Sequence, residues 1–201
     1  MFDSYQKTEL EIWLENLYLK HDIISPSDLA IDNVAKKLNM NIAYMEGARE
    51  VALWDEEDAI IFLNPNKPTE TMRKIFFHEL CHPLRHHGDQ ERFVDSFITL
   101  QERQANQFVL YAAMPFYMIK QLDLPQSEHH LSSLLAFTFH VPLRLAQKRV
   151  DQIKRRIQQA NLDHEFIKQH SNYKKSYDPS NWSHETKAIM DQLYKQLKGA
   201  Q

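Results

Sequence analysis

Apolar residues recur three and four apart at Leu10, Trp13, Leu14, Leu17 and Tyr18, which predicts an amphipathic helix near the start of the chain. Ser25-Pro26-Ser27-Asp28 ends that pattern and supplies cap residues for a second helix reaching Leu38. The period then changes. Residues 41–45, 51–54 and 59–63 are short apolar runs separated by 46–49 and 55–58, the spacing of a three-stranded antiparallel meander. Pro68 suits the first turn of a helix that carries Met72, Ile75, Phe76 and His78 to about His87, with Gly88 as its stop. A further helix is expected to bury Phe93, Phe97, Leu100, Phe108 and Ala112 before Met114-Pro115. Two more, over 131–139 and 143–157, are joined at His140-Val141-Pro142, and the second has an apolar stripe of Leu143, Ala146, Val150, Ile153 and Ile157. Beyond Asn161 the chain is polar and weakly periodic.

These elements make an α+β chain, mostly helical with a small three-stranded antiparallel sheet. Only three glycines in 201 residues agree with that, since an all-β fold needs many tight turns. Cys81 is the single cysteine, so disulfides play no part in folding and a reducing compartment is the natural setting. Acidic residues Asp3, Glu9, Glu11 and Glu15 interrupt the first helix where a secretory leader would be basic and then apolar. The longest apolar stretch, 111–119, is broken by Pro115 and falls short of the ~20 residues a membrane span needs. The expectation is a cytoplasmic protein with no membrane contact. Charge is segregated, because nine Lys/Arg oppose three Asp/Glu between Arg144 and Lys175 while the chain as a whole carries -3. A solvated helix face accounts for this, and direct DNA contact is not expected.

His78-Glu79-Leu80-Cys81-His82 carries the chemistry. Residues four apart on a helix share a face, so both imidazoles can reach one ion while Glu79 stands beside them to take a proton from an attacking water. Zinc accepts such nitrogen ligands without imposing a geometry of its own, and a catalytic site needs three protein ligands with a fourth position open. Glu102, twenty positions after His82, falls where a returning helix would retrace the distance, and completes a His78, His82, Glu102 set for one Zn2+ per chain. Asn106 lies one turn further along and is placed to accept the outer N–H of a ligating histidine. His86 and His87 are candidates to polarise the scissile carbonyl or donate a proton, and Tyr44 and Tyr111 to stabilise an oxyanion, but the first pair reads as helix-end residues that complement the dipole and the second as aromatic core or rim. The strand over 60–63 is a candidate edge for an added peptide strand.

The zinc string, followed by Glu102-Arg103-Gln104-Ala105-Asn106-Gln107-Phe108 and Met114-Pro115, resembles the ImmA/IrrE family of intracellular zinc metallopeptidases. The spacing from His82 to Glu102 is also similar to that of thermolysin-type gluzincins. Phe139-His140-Val141-Pro142 with Ala146 and Arg149 looks like a helical element found downstream in the family. The resemblance covers roughly residues 29–150, and the chain is expected to divide into a zincin-like core with N-terminal helices over 1–125, a helix-turn-helix-like region over 126–160 and a polar extension over 161–201. The resemblance implies His78, His82 and Glu102 as zinc ligands and Glu79 as general base. It also implies a protein substrate, a transcriptional repressor of phage or mobile-element type, whose cleavage relieves repression. Pro83 departs from the usual pattern, because it cannot donate to the Glu79 carbonyl and should kink the helix. Two other functions compete: a zinc-stabilised binding protein that sequesters its partner uncut, and a DNA-binding regulator acting through the basic C-terminal helices.

Overall fold

The computed structural model describes residues 2, 4–55, 58–86, 95–125, 127–170 and 178–198. Residues 1–156 form one compact unit and 157–201 a second. In the first unit, helix α1 (Glu9–Lys20) opens on a reciprocal cap in which Thr8 Oγ1 accepts from Glu11 N and Glu11 Oε2 accepts from Thr8 N. A 3-10 turn (Pro26–Leu29) follows, with Asp28 Oδ2 accepting from the backbone of Ile24 and Ser25, and leads into α2 (Ile31–Lys37).

Strands β1 (Asn41–Tyr44), β2 (Val51–Trp54) and β3 (Ala59–Leu63) follow in the chain, but the sheet order is β1-β3-β2. β1 pairs with β3 in parallel and β2 pairs with β3 antiparallel, so the sheet is mixed and the expected meander is corrected. Burial decides the order. β3 alternates buried Ala59, Ile61 and Leu63 with half-buried positions, and so takes the centre, whereas β1 has an exposed residue at each end. The six-residue link 45–50 is long enough to cross the end of β3, where Met45 N donates to Leu63 O at 3.0 Å. The expected edge at 60–63 is therefore internal, and β2 is an edge instead.

Helix α3 (Thr69–Arg85) lies against β2 and β3 and has α4 (Asp95–Ala112) as its main helical neighbour. It buries Phe76, Phe77, Leu80 and Cys81, a contiguous apolar face worth on the order of 1.5–3 kcal/mol for each large side chain. The helix runs through Pro83 and ends at Arg85, earlier than expected, with His86 extended and its N–H donating to His82 O at 2.9 Å. Gly88, the expected stop, lies outside the described residues, as do His87 and Phe93. The buried face of α4 runs through Gln101, Ala105, Phe108, Val109 and Ala112; Phe97 and Leu100, expected in the core, are exposed because the first turns of α4 precede that packing.

After the short α5 (Phe116–Ile119), α6 (Glu128–Phe139) ends at His140 in a left-handed conformation, φ 49°, with Pro142 preventing continuation. Helix α7 (Leu143–His170) extends well past the expected end, and α8 (His184–Lys198) occupies the tail where little periodicity was visible. The tail does carry a helical period that the expectation missed, since Ile189, Leu193 and Leu197 are four apart in α8 and Leu162, Phe166 and Ile167 continue α7, although all six are exposed. None of the described helices is long and apolar enough to cross a membrane.

Candidate metal centre

α3 and α4 bring His78, His82 and Glu102 together, with one ligand atom from each lying within 4.8 Å of the others. His78 and His82 are one helical turn apart with ring centroids 5.4 Å apart. Both Nε2 atoms face the carboxylate: His78 Nε2 is 3.1 Å from Glu102 Oε2, and His82 Nε2 is 3.6 Å from Glu102 Oε1. Tetrahedral ligands bonded at 2.0–2.1 Å are separated by roughly 3.3 Å, so these distances bracket what zinc requires. Two imidazole nitrogens and one carboxylate oxygen are also the donor set of an open catalytic zinc site, and the three residues fit such an ion.

His82 is almost fully buried, and burial pushes its pKa down to about 4, with His78 and His86 adding in the same direction. Its ring is therefore neutral and able to ligate through the whole physiological range. The indole of Trp54, from β2, stacks on it at 5.9 Å and 21°, and Trp54 Nε1 donates to His86 O at 3.2 Å. On its far side, His82 Nδ1 lies 3.0 Å from His86 Nδ1, and His86 Nε2 lies 3.1 Å from Gln104 Oε1. The role expected of Asn106 is corrected here. Its side chain is exposed and turns back along its own helix, donating from Nδ2 to Glu102 O at 2.7 Å. A helical asparagine takes such a bond to the carbonyl one turn back readily, and His86 meets the outer nitrogen of His82 instead.

Glu79 stands beside the triad and outside it. Its Oε2 accepts from Ala52 N on edge strand β2 at 3.0 Å. Burial pushes its pKa up to about 7, against the lowering effect of the Ala52 hydrogen bond, and the Glu102 charge raises it further. In the unfolded chain the same group titrates near 4.5. Between those values the folded state binds the extra proton, so the group costs stability as pH rises from 4.5 through 7. Glu79→Gln removes that cost and keeps an acceptor for Ala52. In chelator-treated protein the variant should gain about 1–3 kcal/mol over wild type at pH 8 and almost nothing at pH 4.5, as read from urea unfolding. An equal difference at both pH values would contradict the assignment.

Other residues weighed from the sequence lie elsewhere. Tyr44 is exposed and donates to Asp32 Oδ1 at 2.9 Å, while the Tyr111 hydroxyl accepts from Gln107 and Gln152 beneath Arg149. The Cys81 thiol is buried and pushed up to about 12, which leaves it protonated and outside the triad. Ala52, Trp54 and Gln104 were not legible as site residues, and His86, which extends the four-residue ladder of His78 and His82, was read as a helix-end residue.

Comparison with known proteins assigns the chain to a family. The IrrE N-terminal-like domain, a peptidase family, matches residues 35–151, more than half of the chain and the whole of the triad. The chain belongs to this family. It is 34% identical over 149 residues to the phage-like element PBSX protein XkdA of Bacillus subtilis (strain 168), covering 74% of this chain and 75% of that protein. It is also 28% identical over 155 residues to the uncharacterized protein YqaB of the same strain, covering 77% of this chain and 90% of the relative. Members of the family are typically metal-dependent, and the described residues contain a triad of the right donors.

Proposed function

We propose that this peptidase-family chain is a cytoplasmic zinc endopeptidase that hydrolyses a peptide bond in a partner protein, a transcriptional repressor of phage or mobile-element type, and so relieves repression. One observation carries the proposal: His78, His82 and Glu102 converge with Glu79 at their side and hydrogen-bonded to the sheet edge. The three residues would hold one zinc ion, which when bound supplies Lewis acidity toward the scissile carbonyl and the attacking water. Glu79 accepts the proton of that water and carries it toward the leaving amine. Trp54 covers one face of His82 and limits its solvation. The phage-like element to which the relative XkdA is assigned supports a repressor of that kind as substrate.

Elemental analysis of purified protein tests the metal. The expected result is near one zinc per chain in wild type and a marked loss in Glu102→Gln, whose side chain cannot supply a charged ligand. Absence of zinc from wild type after reconstitution at neutral pH would overturn the proposal. The sequestering alternative draws on one finding, that both tyrosines considered as oxyanion donors are engaged elsewhere. The DNA-binding alternative loses one of its cations, since Arg149 is fully buried and paired with Glu11.

A further inference from the structure

His86 and Gln104 have no part in the triad, yet they form a continuous hydrogen-bonded line from His82 to the surface of α4. His82 Nδ1 and His86 Nδ1 are 3.0 Å apart, and with both rings neutral and Gln104 Oε1 facing His86, the proton between them sits on one ring or the other. With the proton on His86 Nδ1, neutral His86 would present a bare Nε2 lone pair to Gln104 Oε1 at 3.1 Å, and neutral His82 would carry its proton on Nε2, the atom facing Glu102. With the proton on His82 Nδ1, both hydrogen bonds of the line are made, and His82 Nε2 and Glu102 Oε1, 3.6 Å apart, are left as two acceptors that a cation between them would satisfy. His82 donates to His86 Nδ1, His86 Nε2 donates to Gln104 Oε1, and His82 Nε2 keeps its lone pair toward the triad. Trp54 holds the His86 backbone through its indole N–H, so the acceptor ring is fixed in place.

We propose that His86 and Gln104 are positioning residues that lock His82 in the Nδ1–H tautomer, with Nε2 presented to the metal. This rests on the reading of the triad as a metal site. α4 then delivers both the third ligand, Glu102, and the end of the line that orients the second.

Two measurements test the proposal. In metal-free wild-type protein, histidine side-chain 1H–15N correlation spectra should show His82 as the Nδ1–H tautomer, and Gln104→Leu should shift it toward Nε2–H. Gln104 is exposed, so its replacement does not threaten the fold. The zinc dissociation constant, from competition with a chromogenic chelator at neutral pH, should weaken roughly 10–100-fold in His86→Leu and in Gln104→Leu. His86→Asn should recover most of the loss, because Asn Oδ1 occupies the place of the accepting Nδ1. Gln104→Glu, a stronger acceptor, should bind zinc at least as tightly as wild type. An Nε2–H tautomer in wild type, wild-type zinc affinity in both leucine variants, or no recovery in His86→Asn would each overturn the positioning role. Failure of the wild-type chain itself to bind zinc would overturn the metal reading, and the positioning role with it.

Discussion

Replacing Glu79 with glutamine is expected to slow peptide-bond hydrolysis by roughly 10²–10⁴-fold, the usual worth of a positioned general base, with zinc content unchanged. The separation follows from the geometry. Glu79 is not one of the three converging ligands, and its carboxylate is held by Ala52 N at 3.0 Å, a bond that a glutamine oxygen also accepts. The substitution conserves shape and removes only the capacity to take a proton. The measurement pairs initial cleavage rates on a purified repressor with metal analysis of the same samples. A variant that cleaves at nearly the wild-type rate would remove Glu79 from the chemistry. If the variant cuts nothing yet relieves repression in cells as well as wild type, the protein acts by sequestration and the peptidase reading of its biology fails. Paired with the gain expected for the metal-free variant at pH 8, a loss of rate would mark Glu79 as a residue held in place at a cost to the fold.

The parts of this site that were legible in the sequence are those set by helical periodicity. His78 and His82 share a face because they are four apart, and Glu102 reaches them because α4, the next helix among the described residues, packs on α3. Where partners come from different elements, periodicity is silent. Trp54 and Ala52 reach the site only because β2 is an edge strand, and the β1-β3-β2 order is decided by which strand buries most, a tertiary outcome absent from any local pattern. Asn106 shows the opposite error. Its spacing was right for meeting a histidine, but a carbonyl four residues back in its own helix offered a nearer partner. The sheet was misread for a related reason, since alternation identifies strands without ordering them.

Arg149→Met is expected to destabilise the first unit by about 3–5 kcal/mol, the cost of leaving a buried charge without its partner. The Arg149 side chain is fully buried, and its NH2 group donates to Glu11 Oε1 at 2.7 Å, its Nε to Met114 O at 3.2 Å, and its NH1 to Gln152, while the guanidinium lies 4.9 Å from the Tyr111 ring centroid. Glu11 is equally committed, with Oε1 also accepting from Tyr5 at 2.6 Å and Oε2 closing the cap of α1. Burial alone would raise the Glu11 pKa, but Arg149, Thr8 and Tyr5 together hold it below its ordinary value. Its stabilising contribution is therefore present above pH 4.5 and lost as pH falls through the depressed value. Removing the guanidinium reverses that balance and also frees the Met114 carbonyl just beyond the helix that carries Glu102. Urea unfolding followed by tryptophan fluorescence measures the effect, with Trp182→Phe as background so that Trp13 and Trp54 report the first unit alone. The double variant Glu11→Leu, Arg149→Met should recover a large part of the loss, because an apolar pair leaves no charge unpaired. A single-variant loss below about 1 kcal/mol, or a double variant as unstable as the sum of both singles, would show that the ion pair does not tie α1 to α7 and the end of α4.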